Sequence, residues 1–104
     1  MEQERIKLLE QFAQDEPDDP FNWYALALEV GKGNSTRALE IFEFVLRTHP
    51  NYLATYYQAG NLCLSMGNLE RAKEILQAGV ILANQKGEHK SMNELTTLLN
   101  EFID

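Results

Sequence analysis

The sequence predicts an all-α protein of about six helices, and three observations support that prediction. Apolar residues recur at the i, i+3, i+4, i+7 spacing of one helical face along most of the chain. Two segments of about 34 residues repeat each other. Turn residues separate the helical segments at regular intervals. With 104 residues, of which 44% are hydrophobic, we expect one globular domain over residues 1–104.

The internal repeat is visible as dipeptides that recur at a constant offset. Trp23-Tyr24 aligns with Tyr56-Tyr57 at an offset of 33 residues. Three further pairs align at an offset of 34, namely Gly33-Asn34 with Gly67-Asn68, Arg37-Ala38 with Arg71-Ala72, and Glu40-Ile41 with Glu74-Ile75. Each copy predicts two helices joined by its Gly-Asn turn. We place the copies at residues 20–52 and 53–86.

Each predicted helix carries an apolar stripe that would face a neighbouring helix. The stripes of the first copy are Trp23, Leu26, Ala27 and Val30, then Ala38, Leu39, Phe42, Val45 and Leu46. Those of the second copy are Tyr56, Ala59, Gly60 and Cys63, then Ala72, Ile75, Leu76, Gly79 and Val80. Small residues recur where two helices of a pair would cross, and they allow the backbones to approach closely. This pattern places Cys63 in the core.

Helix ends are also marked in the sequence. Asp19-Pro20 is typical of a helix start, Asn34 and Asn68 can each cap the helix that follows the turn, and Pro50 ends a helix. A stripe over residues 1–16 predicts an N-terminal helix resembling the second half of a preceding repeat. Residues 88–104 predict a C-terminal capping helix, with Ser91-Met92-Asn93-Glu94 as a capping box at its start.

These residues resemble the tetratricopeptide repeat, whose motif is W-x2-L-G-x2-Y, then A-x3-F, then P. Trp23, Leu26 and Ala27 stand in the first block, Ala38 and Phe42 in the second, and Pro50 closes the repeat. The resemblance covers residues 20–86 and departs from the motif where Val30 and Cys63 replace its tyrosine. It implies a right-handed α-α superhelix that binds other proteins and has no catalytic activity.

The resemblance also implies a binding site, because this family holds peptides or partner helices in a concave groove lined by the first helix of each pair. The residues that would face the groove are Phe21, Tyr24, Leu28, Tyr57, Asn61 and Leu64. Tyr24 and Tyr57 would anchor apolar or aromatic side chains, since tyrosine is over-represented at binding hot spots, and Asn61 would contact a partner backbone. The competing interpretation is that Tyr24, Leu28 and Tyr57 simply pack against neighbouring helices.

Residue types in the predicted groove limit its ligand. Some members of the family clamp the C-terminal carboxylate of chaperone tails with lysine, arginine and asparagine. The corresponding places here hold Tyr24, Leu28, Tyr57, Gln58 and Met92, and only Asn61 matches that pattern. We therefore expect a protein or peptide partner of apolar or mixed character.

Composition argues against several other functions. The net charge of −7 opposes binding to nucleic acid or to an anionic membrane surface, and no stretch has the ~20 apolar residues of a membrane span. One cysteine excludes an intrachain disulfide, and the N-terminus lacks the apolar core of a signal peptide, so we expect a cytoplasmic protein. His49 and His89 lie far apart in the sequence, and we predict no catalytic residue, no metal site and no cofactor.

The sequence thus predicts a non-catalytic protein-interaction module. The alternative is a self-associating structural subunit, a homodimer formed through the groove or the end helix.

Overall fold

Polar side chains cap three helices in the computed structural model, which describes residues 2–102. The Asp19 carboxylate accepts a hydrogen bond of 3.0 Å from the backbone N–H of Phe21, with Pro20 at the first helical position. Asn34 accepts one of 3.0 Å from the N–H of Arg37. Asn68 caps its helix in the same way. The three helix starts predicted from sequence are confirmed.

Residues 2–102 form six α-helices and no strand, which confirms the predicted all-α class. The helices are α1 (Glu2–Asp15), α2 (Pro20–Val30), α3 (Ser35–Thr48), α4 (Ala54–Ser65), α5 (Leu69–Lys86) and α6 (His89–Phe102). None of them is both long enough and apolar enough to span a lipid bilayer.

The predicted capping box at Ser91 is wrong, although the last helix begins at His89, next to the predicted boundary at residue 88. Gly87 ends α5 in the left-handed conformation, with φ of 70°, and the chain re-enters a helix at His89. The Glu88 carbonyl already accepts the N–H of Met92 at 3.0 Å, so Ser91 lies inside α6 and does not cap it. Because the left-handed glycine ends α5 and α6 begins two residues later, Ser91 already lies in the first turn of α6 and cannot be its N-cap. Ile103 and Asp104, which the prediction included, lie outside the described residues.

The described chain divides into two compact units at residue 52. In the first unit α2 packs against both α1 and α3. Its core is aliphatic and aromatic and consists of Ala13, Leu26, Ala27, Val30, Ala38, Phe42 and Val45. Glu29 of α2 is buried and pairs with Lys32 at 2.7 Å and with Arg5 of α1 at 3.3 Å, and Arg37 of α3 pairs with Glu10 of α1.

The second unit contains α4, α5 and α6, and α5 packs against both neighbours. Two glycines permit this packing. A Cβ on Gly60 of α4 would lie 2.7 Å from Cγ of Leu76, and one on Gly79 of α5 would lie 2.7 Å from Cβ of Tyr56. Real Cβ atoms almost never approach that closely. The close approach at Gly60 agrees with the helix crossing predicted there, whereas the close approach at Gly79 was not predicted from the sequence.

Candidate partner-binding site

Three of the predicted site residues lie on α2 in the first unit. Phe21, Tyr24 and Leu28, which we call the α2 patch, follow i, i+3, i+7 spacing and so share one face of the helix. Phe21 is 55% exposed and Leu28 is 38% exposed. Tyr24 is half-buried. The α2 patch is therefore an apolar surface open to solvent around a partly covered tyrosine.

Tyr24 belongs to an aromatic cluster as well as to the patch. Its ring centroid lies 5.6 Å from that of Tyr52 in an edge-on arrangement, 6.3 Å from that of Phe42, and 6.5 Å from that of Phe21. Burial is the main cause that raises the pKa of Tyr52 above its ordinary value, with a smaller contribution from Tyr24. Offset and edge-on pairs of this kind hold rings in place. Tyr24 therefore packs against neighbouring rings of the first unit, and its role in partner binding stays a prediction.

The other three predicted residues lie on α4 in the second unit. Tyr57, Asn61 and Leu64, the α4 patch, follow i, i+4, i+7 spacing on one face. Tyr57 is 37% exposed, Asn61 is exposed and Leu64 is half-buried. On the same helix Tyr56, Ala59 and Cys63 are buried, with Cys63 fully so, as the stripe predicted. Successive tyrosines therefore have different roles, because Tyr56 packs inward and Tyr57 points outward.

Tyr57 also lines a surface pocket of about 260 Å³ in the second unit. The remaining lining residues come from α6 and are Asn93, Glu94, Thr97, Leu98 and Glu101. Sequence reasoning treated α6 only as a cap and missed these residues. Their spacing was available as a signal, since Glu94, Leu98 and Glu101 stand at i, i+4 and i+7. What the sequence did not show is that this face of α6 lies beside Tyr57.

A second surface pocket, of about 360 Å³, lies between α2 and α3. Trp23, Ile41 and Phe44 supply its apolar lining, and Arg37 and Glu40 are its charged lining residues. The Trp23 indole N–H donates to the Pro17 carbonyl at 3.0 Å, and its ring centroid lies 4.9 Å from that of Phe44, edge-on. Trp23 is half-buried, so it packs on α3 and also borders solvent.

The remaining sequence candidates have structural roles. Among residues 2–102, no group of three or more His, Cys, Asp or Glu side chains could hold a metal ion. His49 contacts the Asp18 carbonyl through Nε2 at 3.1 Å. Residues 31–34 form the turn between α2 and α3, where Asn34 caps the following helix.

Paired helices in repeated order, with similar caps and equivalent patches on α2 and α4, define this chain as a helical repeat protein. A family model described as tetratricopeptide repeat matches residues 29–92. The chain belongs to the tetratricopeptide repeat family.

Two solved structures are similar over most of the chain. One is a solution NMR structure of a tetratricopeptide repeat domain protein from Salinibacter ruber, with 35% identity and a TM-score of 0.79 over 84% of this chain and 89% of that one. The other is a crystal structure of a tetratricopeptide repeat domain protein from Salinibacter ruber, with 36% identity and a TM-score of 0.75 over 83% of this chain and 100% of that one. No curated protein sequence matches the chain.

Family membership supports a general role. Tetratricopeptide domains are generally modules for protein–protein interaction and are generally non-catalytic.

Proposed function

We propose that this chain is a non-catalytic module that binds extended peptides or partner helices, with the α2 patch as the contact surface of the first unit and the α4 patch as that of the second. The observation that supports this proposal most directly is the exposure of large apolar side chains on the first helix of each pair. Phe21, Leu28 and Tyr57 are 55%, 38% and 37% exposed. Removing apolar surface from water is favourable by about 25 cal/mol per Å², and a partner would supply that burial.

The patches combine rigid and adaptable groups. Tyr24 is held by Phe42 and Tyr52 at ring distances of 6.3 and 5.6 Å, so little side-chain freedom is lost when a partner contacts it. Tyr57 offers an aromatic face and a hydroxyl group. Asn61 carries both donors and an acceptor, as recognition of a peptide backbone requires. The chemistry suits a partner that has apolar side chains and an accessible backbone.

The test begins with selection of peptides from a random display library on the full chain. Affinities of the selected peptides are then measured by fluorescence anisotropy for the wild type and for Tyr57→Ala. If Tyr57 is a hot spot that contributes about 2 kcal/mol, the variant binds roughly 30-fold more weakly. Its melting temperature should stay close to that of the wild type, because the side chain is already partly in water.

Ile81→Ala is the matched control. Ile81 is 60% exposed on α5 and belongs to neither patch, so its truncation removes exposed apolar surface of similar kind without touching the proposed site. Affinity should be unchanged in this variant. Equal affinities for wild type, Tyr57→Ala and Ile81→Ala would contradict the role given to the α4 patch.

A second candidate function is self-association through the end helix. Its supporting observation is Phe102 of α6, which is 57% exposed. Light scattering coupled to size exclusion over a concentration series, with Phe102→Ser as the comparison, tests it. A dimer that the variant loses would support this candidate, whereas a monomer at high micromolar concentration would rule it out.

A further inference from the structure

The pocket between Tyr57 and α6 combines three kinds of surface. Tyr57 and Leu98 supply apolar and aromatic lining, Asn93 and Thr97 supply neutral polar groups, and Glu94 and Glu101 supply two carboxylates. Its volume of about 260 Å³ is below the roughly 300–1,000 Å³ of typical small-molecule sites. The size fits one side chain of a partner better than a whole metabolite.

The two carboxylates lie outside the ion pairs of the described residues, and Lys90, one helical turn before Glu94 on α6, makes no ion pair with either of them. Ion pairs elsewhere in the described chain join Glu29 to Lys32 and Arg71 to Glu74. Within residues 2–102, neither Glu94 nor Glu101 makes an ion pair. A partner cation would therefore find both carboxylates available without displacing an existing contact.

The spacing of the carboxylates argues for an organic cation and against a metal ion. Glu94 and Glu101 are seven residues apart on one helix, which separates them by about 10 Å along the axis. A hard metal such as Ca²⁺ needs six or more oxygens around one centre. A guanidinium or ammonium group on a flexible stem needs only one carboxylate and can also lie against the face of an aromatic ring, here Tyr57.

We infer that this pocket receives an arginine or lysine side chain of the partner, so the bound segment is a basic peptide. The inference rests on the proposed function, because Tyr57 belongs both to the α4 patch and to the pocket. The aliphatic stem of the basic side chain packs along Leu98 and Tyr57, and its charged end pairs with Glu94 or Glu101. The net charge of −7 speeds encounter with such a partner. The expected partner of apolar or mixed character is thereby narrowed to one that carries basic side chains beside apolar ones.

The experiment uses the full chain and the peptides selected from the random library. Each bound peptide is resynthesised with its arginines replaced by citrulline, which keeps the shape of the side chain and removes the charge. We expect the selected peptides to be enriched in arginine and lysine, and the citrulline forms to bind at least about fivefold more weakly. Raising the salt concentration should weaken the arginine forms more than the citrulline forms, since salt screens exposed charges.

The protein variant is Glu94→Gln with Glu101→Gln, and its matched control is Glu70→Gln with Glu88→Gln. Both doubles remove two exposed carboxylates from the second unit, but only the first pair lines the pocket. We expect the pocket variant to bind the arginine peptides about fivefold more weakly and the control less than twofold more weakly. Circular dichroism checks that both variants are folded.

The outcomes separate the inference from the function on which it rests. Peptides that bind with equal affinity to wild type and pocket variant would overturn the basic-peptide inference and leave the interaction module intact. Selected peptides that bind tightly but contain no arginine or lysine would also overturn the basic-peptide inference and leave the interaction module intact. A library that yields no binding peptide would overturn the proposed function itself, and the inference with it.

Discussion

Gly79 of α5 provides the sharpest test of the packing in the second unit. Glycine inside a helix is less favourable than alanine by about 1 kcal/mol, so helix propensity alone predicts that Gly79→Ala stabilises the protein. The packing predicts the opposite. The new methyl group would lie 2.7 Å from Cβ of Tyr56 and 3.2 and 3.3 Å from the two Cδ atoms of Leu95. Because the Cβ of Tyr56 is fixed to its backbone, α4 itself would have to move.

Overpacking of this kind costs about 1–3 kcal/mol. With the propensity gain subtracted, the net loss of unfolding free energy should be up to about 2 kcal/mol. Each kcal/mol lowers the melting temperature of a domain of this size by roughly 4–8 °C. Thermal and urea unfolding followed by circular dichroism at 222 nm measure both quantities.

Ala78→Gly serves as the control for the propensity term. Ala78 is exposed on the same helix, so its replacement by glycine should cost about 1 kcal/mol without any steric effect. Because helix propensity acts with opposite sign in the two variants, the cost of the clash is the sum of the two losses of unfolding free energy. A melting temperature that rises in Gly79→Ala would refute the close approach of α5 to α4 and α6.

Three further changes test other contacts. The Thr55 hydroxyl is buried and lacks a hydrogen-bond partner in the described residues. Thr55→Val should therefore raise the unfolding free energy by about 1 kcal/mol. A lower melting temperature in the variant would indicate that the hydroxyl makes a hydrogen bond in the folded protein. Hydrogen bonding from Lys32 is the main cause that lowers the pKa of Glu29 below its ordinary value of 4.5. The stability that the Glu29 ion pairs contribute is therefore present above pH 4.5 and is lost as the pH falls through the lowered pKa. Glu29→Gln should make the melting temperature less dependent on pH between about 5 and 3. Melting temperatures of wild type and variant that change equally with pH would contradict this expectation. Trp23→Ala removes a half-buried indole and its hydrogen bond, and we expect a loss of about 2–3 kcal/mol in urea unfolding, below the 3–5 kcal/mol of a fully buried aromatic.

Much of the fold could be predicted because its determinants are local in the chain. A cap such as Asn34 bonds to an N–H three residues away, and an apolar stripe needs only the 3.6-residue period of the helix. The same logic failed at the start of α6, where the capping-box pattern at Ser91 was a genuine local signal. The left-handed turn at Gly87 is followed by the start of α6 at His89, three residues before the start that Ser91 would give as N-cap.

The candidate site was less predictable, because it depends on residues that are distant in sequence. The α2 and α4 patches follow from helical spacing and the family resemblance. The cluster of Tyr24 with Tyr52 does not, since Tyr52 lies 28 residues away, outside any helical stripe. Nor could spacing show that Glu94 and Glu101 line a pocket with Tyr57, which precedes them by about forty residues.

By itself, then, the sequence determined the helical class, the repeat, most helix ends and the family, because periodicity and capping act over a few residues. Only the tertiary structure decided which side chains meet across helices. These contacts depend on how α4, α5 and α6 pack around Gly60 and Gly79. At both positions a single added methyl group would change how closely two helix backbones approach. The acidic pocket beside Tyr57 is a product of that packing.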